Sequence, residues 1–468
     1  MSDKATSVST ENIYRLDGRV PLGKAILLGL QHVLAMFAGN LTPIILIAGA
    51  CSLGDLQVSI LQNAMLVAGL VTLVQLFTIG PIGAKLPIVM GTSSGFIGIC
   101  NNIVAMTGGG IASYAALMGA CFVGGLFETV LGFFLKPLRK FFPAVVTGTV
   151  VLAIGLSLIS VGINSFAGGS GVGDFGSLPN LFVGTVVLVT IIVCKHFTKG
   201  ITSNSAILIG VVVGYIVCGI MMLILPTTYI GADGVEKTCS WVLNWDKVAQ
   251  ASWFSLPSIL PVKPTFSLST ILPMCIMFVV TAVETVGDTS GITEGGLGRE
   301  ATDRELSGSV TCDGLGSSFA ALFGVLPNTS FSQNVGLIAM TKVVNRYCIA
   351  MGAGFLVLCG LFPKLAALVS IMPQSVLGGA AVMMFASIVM SGIQLITKEK
   401  VTPRTITIVS VAIGLGYGLG SSASALAFMP LTIQYIFGGS GIVPAALAAI
   451  IMNVAIPKDH EGAAPKEA

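Results

Sequence analysis

The sequence predicts an all-α polytopic membrane protein. Only 9% of its 468 residues are charged, against roughly 25% in soluble domains. Hydrophobic residues make up 54% of the chain, and the apolar runs reach the length of about 20 residues that a helix needs to cross a bilayer. These observations exclude a soluble protein and make the lipid bilayer a partner of this chain.

The apolar runs predict fourteen transmembrane segments. Glycines and prolines interrupt several of them. The segments begin near residues 21, 55, 86, 111, 142, 178, 203, 268, 305, 329, 347, 372, 403 and 435.

The distribution of charge predicts the orientation. If both termini are cytosolic and the segments alternate, the inner loops contain Lys85, Lys136, Arg139, Lys140, Lys195, Lys199, Arg299, Arg304, Lys342, Arg346, Lys398, Lys400 and Arg404. The outer loops contain only Lys237, Lys247, Lys263 and Lys364. Because cytoplasmic loops carry an excess of lysine and arginine, we expect a multi-pass protein of the cell membrane (inner or plasma membrane) with both termini cytosolic.

The two halves of the chain resemble each other. FPAVVTGTVVLAIGLSLISVG, 142–162, is similar to MPQSVLGGAAVMMFASIVMSG, 372–392, and LPIVMGTSSGF, 86–96, is similar to LPNTSFSQNVG, 326–336. These offsets imply seven spans plus seven. An odd number of spans per repeat gives the second repeat the opposite orientation in the membrane, as in many secondary transporters.

The repeats divide the chain into five predicted parts. These are a cytosolic N-terminal tail (1–20), a first inverted repeat with spans one to seven (21–226), an extracytoplasmic loop (227–266), a second repeat with spans eight to fourteen (267–457) and a cytosolic C-terminal tail (458–468).

Polar stretches interrupt the third and tenth spans. The clearest is PNTSFSQNVGLIAMTK, 327–342. Proline removes a backbone donor and favours extended geometry in the residue before it, and irregular backbone at membrane depth is tolerated only inside protein or beside a cavity. We therefore expect short extended stretches that meet near the membrane midplane, a helix that restarts at Val335, and free N–H groups that face a ligand.

Acidic residues lie inside the apolar runs. Glu284 and Asp288 are four residues apart and share one face of a helix, and Asp313 lies near the start of the following span. Because an ionised acid at the centre of a spanning helix costs about 2.5–3.5 kcal/mol, we expect these acids to line a polar cavity and to be candidates for carrying a proton. A role limited to backbone hydrogen bonds stays open for Asp288 and Asp313, and His32 fits a packing role more simply than a proton relay.

Two amides in the tenth-span break are candidates for ligand recognition. The side chains of Gln333 and Asn334 offer paired donors and acceptors, and such an amide can bond two adjacent edge atoms of a planar heterocycle. With a carboxylate such as Glu284 that accepts from ring N–H groups, they suit a neutral or weakly acidic lactam ring.

Other kinds of site are not predicted. None of the ten cysteines forms a CxxC pair, and motifs for phosphate loops, metalloproteases or dinucleotides are missing from the sequence. We therefore expect no metal, no cofactor, no nucleic-acid partner and no enzymatic activity.

Several motifs resemble those of one transporter family. QNVGLIAMTK (333–342), QHVLAMFAGNLTP (31–43), VETVGD (283–288) and DGLGS (313–317) are similar to segments of the nucleobase–ascorbate transporter (nucleobase:cation symporter) family. The resemblance extends over essentially all the spans, in the same order. It is greatest to the branch of xanthine and uric acid permeases.

The resemblance carries expectations about fold and mechanism. It implies fourteen spans in a 7+7 inverted repeat, divided into a core and a gate domain, and proton symport of a nucleobase by a homodimer. Glu284 looks like the substrate-binding acid of the eighth span. Gln333 occupies the second main substrate position, where uracil carriers tend to have glutamate.

The remaining site residues follow from the same resemblance. Asp288, Asp313, Asn334 and His32 match positions tied to proton coupling or to the geometry of the site, and Asn334 is also a candidate for binding substrate. The stretch GTSSGF would offer a backbone N–H near Ser94. Ser93 matches a position where xanthine-selective members tend to have asparagine, so its smaller hydroxyl would leave room for the extra oxygen of uric acid.

The sequence thus predicts a secondary active transporter that imports uric acid, xanthine or both with protons, by elevator or rocking motion of the core against the gate. A symporter of uracil or another nucleobase and an anion exchanger on the same fold are the alternatives. An intramembrane enzyme and a channel are alternatives from other functional classes. Coupling to sodium instead of protons is also an open alternative.

Overall fold

A computed structural model describes residues 8–54, 56–138, 143–169, 172–231, 235–398, 400–430, 433–434, 437–438 and 441–457. Residues 1–7 of the predicted N-terminal tail and the whole predicted C-terminal tail, 458–468, lie outside the described residues. So do Arg139 and Lys140 of a predicted inner loop.

The first half of the chain forms helices separated by one extended stretch. A short 3₁₀ helix, Ser94–Phe96, joins this stretch to the next helix. The elements are α1 (Leu22–Ala50), α2 (Leu56–Phe77), β1 (Met90–Thr92), α3 (Ile97–Thr107), α4 (Gly110–Phe133), α5 (Leu135–Leu138), α6 (Ala144–Phe166), α7 (Leu178–Phe197), α8 (Ile201–Asn204) and α9 (Ala206–Ile224).

The second half follows a segment that contains two short strands and a short helix. β2 (Thr228–Ile230) pairs with β3 (Glu236–Thr238), and α10 spans Trp245–Gln250. The later elements are α11 (Leu268–Leu297), α12 (Asp303–Leu322), β4 (Asn328–Ser330), α13 (Ser332–Thr341), α14 (Arg346–Cys359), α15 (Pro363–Ser370), α16 (Gln374–Ile396), α17 (Pro403–Ser421) and α18 (Ile442–Ala455).

Many of these helices are long and apolar enough to cross a membrane. Within the described residues there are 8 such helices, or 9 if α14 and α15, which meet at a bend of 84°, form one span. This confirms the predicted class, an all-helical polytopic membrane protein. The count of fourteen spans stays a prediction.

The two stretches that the sequence predicts to be extended pair with each other. β1 and β4 are antiparallel, with Met90 opposite Ser330 and Thr92 opposite Asn328. Side chains complete the hydrogen bonds of this two-stranded crossing. The Met90 N–H donates to the Thr72 hydroxyl at 2.9 Å, and the Thr92 N–H donates to Asn40 Oδ1 at 2.7 Å. Such partners are required because extended backbone at membrane depth has no water to bond.

The helices pack in two groups. The first group surrounds the crossing and contains α1–α4 and α11–α14. The second group contains α6, α7, α9 and α16–α18. Glycines allow close contact within each group: a Cβ at Gly392 of α16 would lie 2.4 Å from the Leu152 nitrogen of α6, and a Cβ at Gly314 of α12 would lie 2.4 Å from the Thr129 nitrogen of α4. Small residues have this role in many membrane helix pairs.

The start of α12 is held by a capping box, as its sequence TDRE favours. The Glu305 N–H donates to the Thr302 hydroxyl, and the Thr302 N–H donates to the Glu305 carboxylate at 2.9 Å. Arg299 donates to the same carboxylate at 2.8 Å. The capping box stabilises the N-terminus of α12, the helix of the first group that carries Asp313.

Candidate functional site

The helix α11 carries two of the predicted acids on one face. Glu284 is 8% exposed and Asp288 is 7% exposed. α11 packs against α4, α12 and α13 in the first group. Both carboxyl groups are therefore enclosed by protein, as the cost of a carboxylate in the bilayer requires.

Serine hydroxyls from the tenth-span break hold Asp288. Ser330 of β4 donates to Asp288 Oδ2 at 2.7 Å, and Ser332 of α13 donates to Oδ1 at 2.8 Å. Ser332 also interacts with the carboxyl group of Glu284, whose Oε2 has no hydrogen-bond partner among the described residues. Because a hydroxyl has one proton to donate, Ser332 cannot donate to both acids at once.

Asp313 joins the same network from α12. The Thr285 hydroxyl of α11 donates to Asp313 Oδ2 and lies 3.4 Å from the Ser330 hydroxyl. In the part of the chain that the structure describes, Asp313 Oδ1 has no partner. Glu284, Asp288 and Asp313 thus form one acid cluster, connected by hydroxyl groups.

Gln333 lies on the wall of a cavity between the two groups of helices. The cavity has a volume of about 370 Å³. Its lining includes Ser332, Gln333 and Gly336 of α13, together with residues of α7, α9 and α16. Lys195 and His196, at the exposed end of α7, belong to the same lining. Gln333 is therefore placed where a ligand between the two groups would meet it.

The expected restart of the helix at Val335 is wrong by three residues, since α13 begins at Ser332. Serine and asparagine suit the first turn of a helix, where N–H groups have no partner within the helix. No side-chain hydrogen bond caps α13 within the described structure. Its first turn places the positive end of the helix dipole next to Ser332 and Gln333, which favours an anionic or electron-rich ligand.

Ser93 and Ser94 follow β1 on the other side of the crossing. The Ser93 N–H donates to the Pro327 carbonyl at 2.9 Å, and its hydroxyl accepts from the Gly95 N–H at 3.3 Å. Ser93 is buried and Ser94 is half-buried. Neither is in the lining of the 370 Å³ cavity, so their contact with substrate stays a prediction.

Asn334 and His32 contact each other, and neither residue lines the 370 Å³ cavity. The Asn334 amide nitrogen lies 3.0 Å from His32 Nδ1 and donates to the His32 carbonyl at 3.1 Å. Both side chains are buried. The contact holds the first turn of α13 against α1, which fits the packing role considered for His32. A substrate contact of Asn334 has no support from this placement and stays a prediction.

Sequence reasoning did not single out several residues of this site. Ser330, Ser332 and Thr285 were visible only as hydroxyls within a polar break and beside Glu284. Glu128 was also missed, although it is the one charged residue in the apolar run of α4. An acid alone in such a run was a signal that could have found it.

Metal binding was not expected. Among the described residues, no group of three or more histidine, cysteine, aspartate or glutamate side chains is placed to hold a metal ion. Phe96, which follows Ser93 and Ser94, packs against Phe278 with ring centroids 4.8 Å apart.

Known proteins resemble this chain over nearly its whole length. The xanthine permease of Escherichia coli is 30% identical over 469 aligned positions, which cover 98% of this chain and 97% of the relative. The uric acid transporter of Escherichia coli is 32% identical, over 92% of this chain and 86% of the relative.

Solved structures share the fold. The transmembrane domain of a cyanobacterial bicarbonate transporter superposes with a TM-score of 0.51 at 15% identity, over 97% of this chain and 100% of that domain. At this identity the likeness concerns the fold alone. The profile of the permease family, a family of transporters rather than enzymes, matches residues 23–423. The chain therefore belongs to this permease family.

Proposed function

We propose that this protein imports an oxidised purine, uric acid or xanthine or both, together with protons. The observation that carries the proposal is the position of Ser332 and Gln333. Gln333 lines the cavity, while its neighbour Ser332 bonds Asp288 and interacts with Glu284. A side-chain amide for the ring edge and carboxyl groups for ring N–H groups and protons thus adjoin one another.

The relatives support this substrate class. They include a xanthine permease and a uric acid transporter, both aligned over most of the chain. In our proposal Glu284 and Gln333 bind the ring from two sides, and the break at Ser93 and Ser94 closes the pocket. Ser93 favours uric acid over xanthine, because the serine side chain is smaller than the asparagine side chain expected in xanthine-selective members.

Asp288 and Asp313 then have a coupling role, and His32 and Asn334 support the site. Protonation of the acid cluster completes the binding site on the outer side of the membrane. Release of the proton on the inner side weakens substrate binding. The uneven supply of hydroxyl donors supports this step, since Ser332 cannot satisfy two carboxylates at once.

The proposed architecture has fourteen spans in a 7+7 inverted repeat. The antiparallel pairing of β1 with β4 supports it, because the paired stretches are the ones that resemble each other in sequence. The first group of helices would be the core and the second group the gate, with homodimer contacts through the gate. The cavity between them fits an elevator or rocking motion of one group against the other.

The orientation is part of the proposal. The charge distribution assigns Lys195 and His196 to the cytosolic side of a cell membrane, with both termini cytosolic. Both residues line the cavity that also contains Gln333. The described conformation is then one that opens toward the cytosol.

An anion exchanger is the second candidate, because the fold is shared with a bicarbonate transporter. Such a protein would be expected to have a basic residue at the tenth-span break, where this chain has Gln333 and Asn334. A uracil symporter is disfavoured by glutamine at the position where uracil carriers tend to have glutamate.

Uptake of labelled uric acid into cells or proteoliposomes tests the proposal. We expect accumulation above equilibrium, competition by unlabelled xanthine but not by uracil, and loss of accumulation with a protonophore. Uptake that never exceeds equilibrium would indicate a channel. Accumulation driven by sodium alone would reject proton coupling, and exchange for bicarbonate would favour the second candidate.

A further inference from the structure

A fourth acid, Glu128, lies toward the C-terminal end of α4. Its side chain has no exposed surface. Glu128 Oε1 accepts a hydrogen bond from the Thr281 hydroxyl of α11 at 3.3 Å. Its Oε2 has no partner within the described residues. A buried carboxylate oxygen without a partner costs more free energy than a hydrogen-bonded one, so this group is more than a packing residue.

The charged neighbours of Glu128 are all acids. Asp313 of α12 and Glu284 of α11 act on its carboxyl group. α3 contributes Cys100, which lies near Cys121 in the middle of α4, about two helical turns before Glu128. On the side of α5, Lys136 pairs with Asp303 at 3.7 Å instead. Within the described part of the chain, no cation is paired with Glu128, so its negative charge would add to that of the acid cluster.

Glu128 is also connected to the cluster through α11. Thr281, its donor, lies one helical turn before Thr285, which donates to Asp313. Glu284 stands between these positions on the same helix. Glu128 is absent from the lining of the 370 Å³ cavity, so it does not contact a ligand there.

We propose that Glu128 is a proton-exchanging residue that extends the acid cluster from α11 and α12 to α4. This inference rests on the proposed proton symport. Because repulsion disfavours neighbouring buried carboxylates that are all ionised, a proton bound at Glu128 changes the protonation of Asp313 and Glu284. A proton that leaves Asp313 is held at Glu128, and the negative charge passes to Asp313. Glu128 thus sets how many protons the site holds without touching the substrate.

The substitution Glu128→Gln tests this role. The amide oxygen keeps the bond from Thr281, but the side chain no longer titrates. Uptake of labelled uric acid into proteoliposomes would be measured from pH 5 to pH 8, together with the number of protons moved per substrate. We expect the midpoint of the pH profile to move by at least about half a unit, and Glu128→Asp to restore part of the wild-type profile.

The matched control is Glu236→Gln. Glu236 also accepts from a threonine hydroxyl, Thr228, at 2.7 Å, but it is exposed. Its pH profile should stay that of the wild type. A Glu128→Gln profile that superimposes on the wild type, with the same number of protons moved, overturns the inference. If this variant does not fold, Thr281→Val replaces it: a moved profile supports the inference and an unmoved one overturns it. A wild type that moves no protons instead rejects the proposed function.

Discussion

The two interrupted segments of the chain, residues 86–107 and 326–341, have the same backbone plan and different chemistry. Each has a three-residue strand followed by a short helix, and the two strands pair. In the first segment the Ser93 hydroxyl serves its own turn by accepting from Gly95. In the second segment the hydroxyls of Ser330 and Ser332 reach Asp288 on another helix.

The difference separates a segment whose hydrogen bonds support the crossing from a segment whose hydroxyl groups reach the acid cluster. The first segment forms hydrogen bonds within itself, and its backbone N–H groups donate to Asn40 and Thr72. These bonds stabilise the crossing. The second segment connects the acid cluster to the cavity, because Ser332 and Gln333 are neighbours in the first turn of α13. The sequence resemblance of the two segments therefore predicts their shape but not their roles.

The substitution Glu284→Gln should have the largest effect, because it removes the carboxyl group that we propose binds the substrate and takes part in proton coupling. Loss of a charge-assisted hydrogen bond of about 3 kcal/mol should lower uptake of uric acid by about a hundredfold. The remaining uptake should lose its dependence on pH. Initial rates at equal surface expression measure both effects, with the exposed Glu300 changed to glutamine as control. Uptake that keeps its pH dependence would remove Glu284 from proton coupling.

Gln333→Glu should have the second largest effect. A carboxylate at this position cannot donate to the ring and repels an anionic substrate, at a cost of about 2 kcal/mol or roughly thirtyfold in uptake of uric acid and xanthine. Gln250→Glu, in the exposed helix α10, is the matched control. Unchanged uptake would show that the second segment does not contact substrate through Gln333.

Ser332→Ala and Ser93→Ala compare the two segments directly. Ser332→Ala removes a donor to Asp288 and should lower uptake about tenfold, since hydrogen bonds to charged groups contribute about 1.5 kcal/mol or more. Ser93→Ala removes a bond within its own turn but keeps the small side chain that we propose leaves room for uric acid, so it should lower uptake about twofold. Transport kinetics across pH values test the difference. Equal effects would contradict the division of roles between the segments.

Gly336→Ala should have the smallest of these effects on the second segment. A Cβ at Gly336 would meet no atom within 4 Å, so the variant should fold normally and place a methyl group in the cavity. We expect an increase in KM for uric acid of about fivefold, near 1 kcal/mol. Gly354→Ala of α14 is the control, because it also has open space but does not line the cavity. The same KM in both variants would place substrate elsewhere.

Much of the fold could be predicted, because the composition of a short segment decides whether that segment can form a spanning helix. Charge content and apolar runs predicted a polytopic helical protein, and the prolines and polar residues near 86 and 326 predicted extended stretches that meet. The start of α13 was placed too late, because Ser332 and Asn334 are weak helix formers and their position in a first turn depends on where β4 ends. The hydroxyl partners of the acids were missed, because serines and threonines in apolar spans usually bond their own helix.

The sequence by itself determined the membrane class, the location of the two breaks and the shared face of Glu284 and Asp288, since these follow from composition and four-residue spacing. Only the tertiary structure decided which distant groups meet. It brought Asn334 to His32, 302 residues away, joined Asp313 to Thr285, and placed Gln333 on a cavity between two groups of helices. The physical reason is that such contacts depend on how helices pack against each other, and a local pattern along the chain does not contain that information.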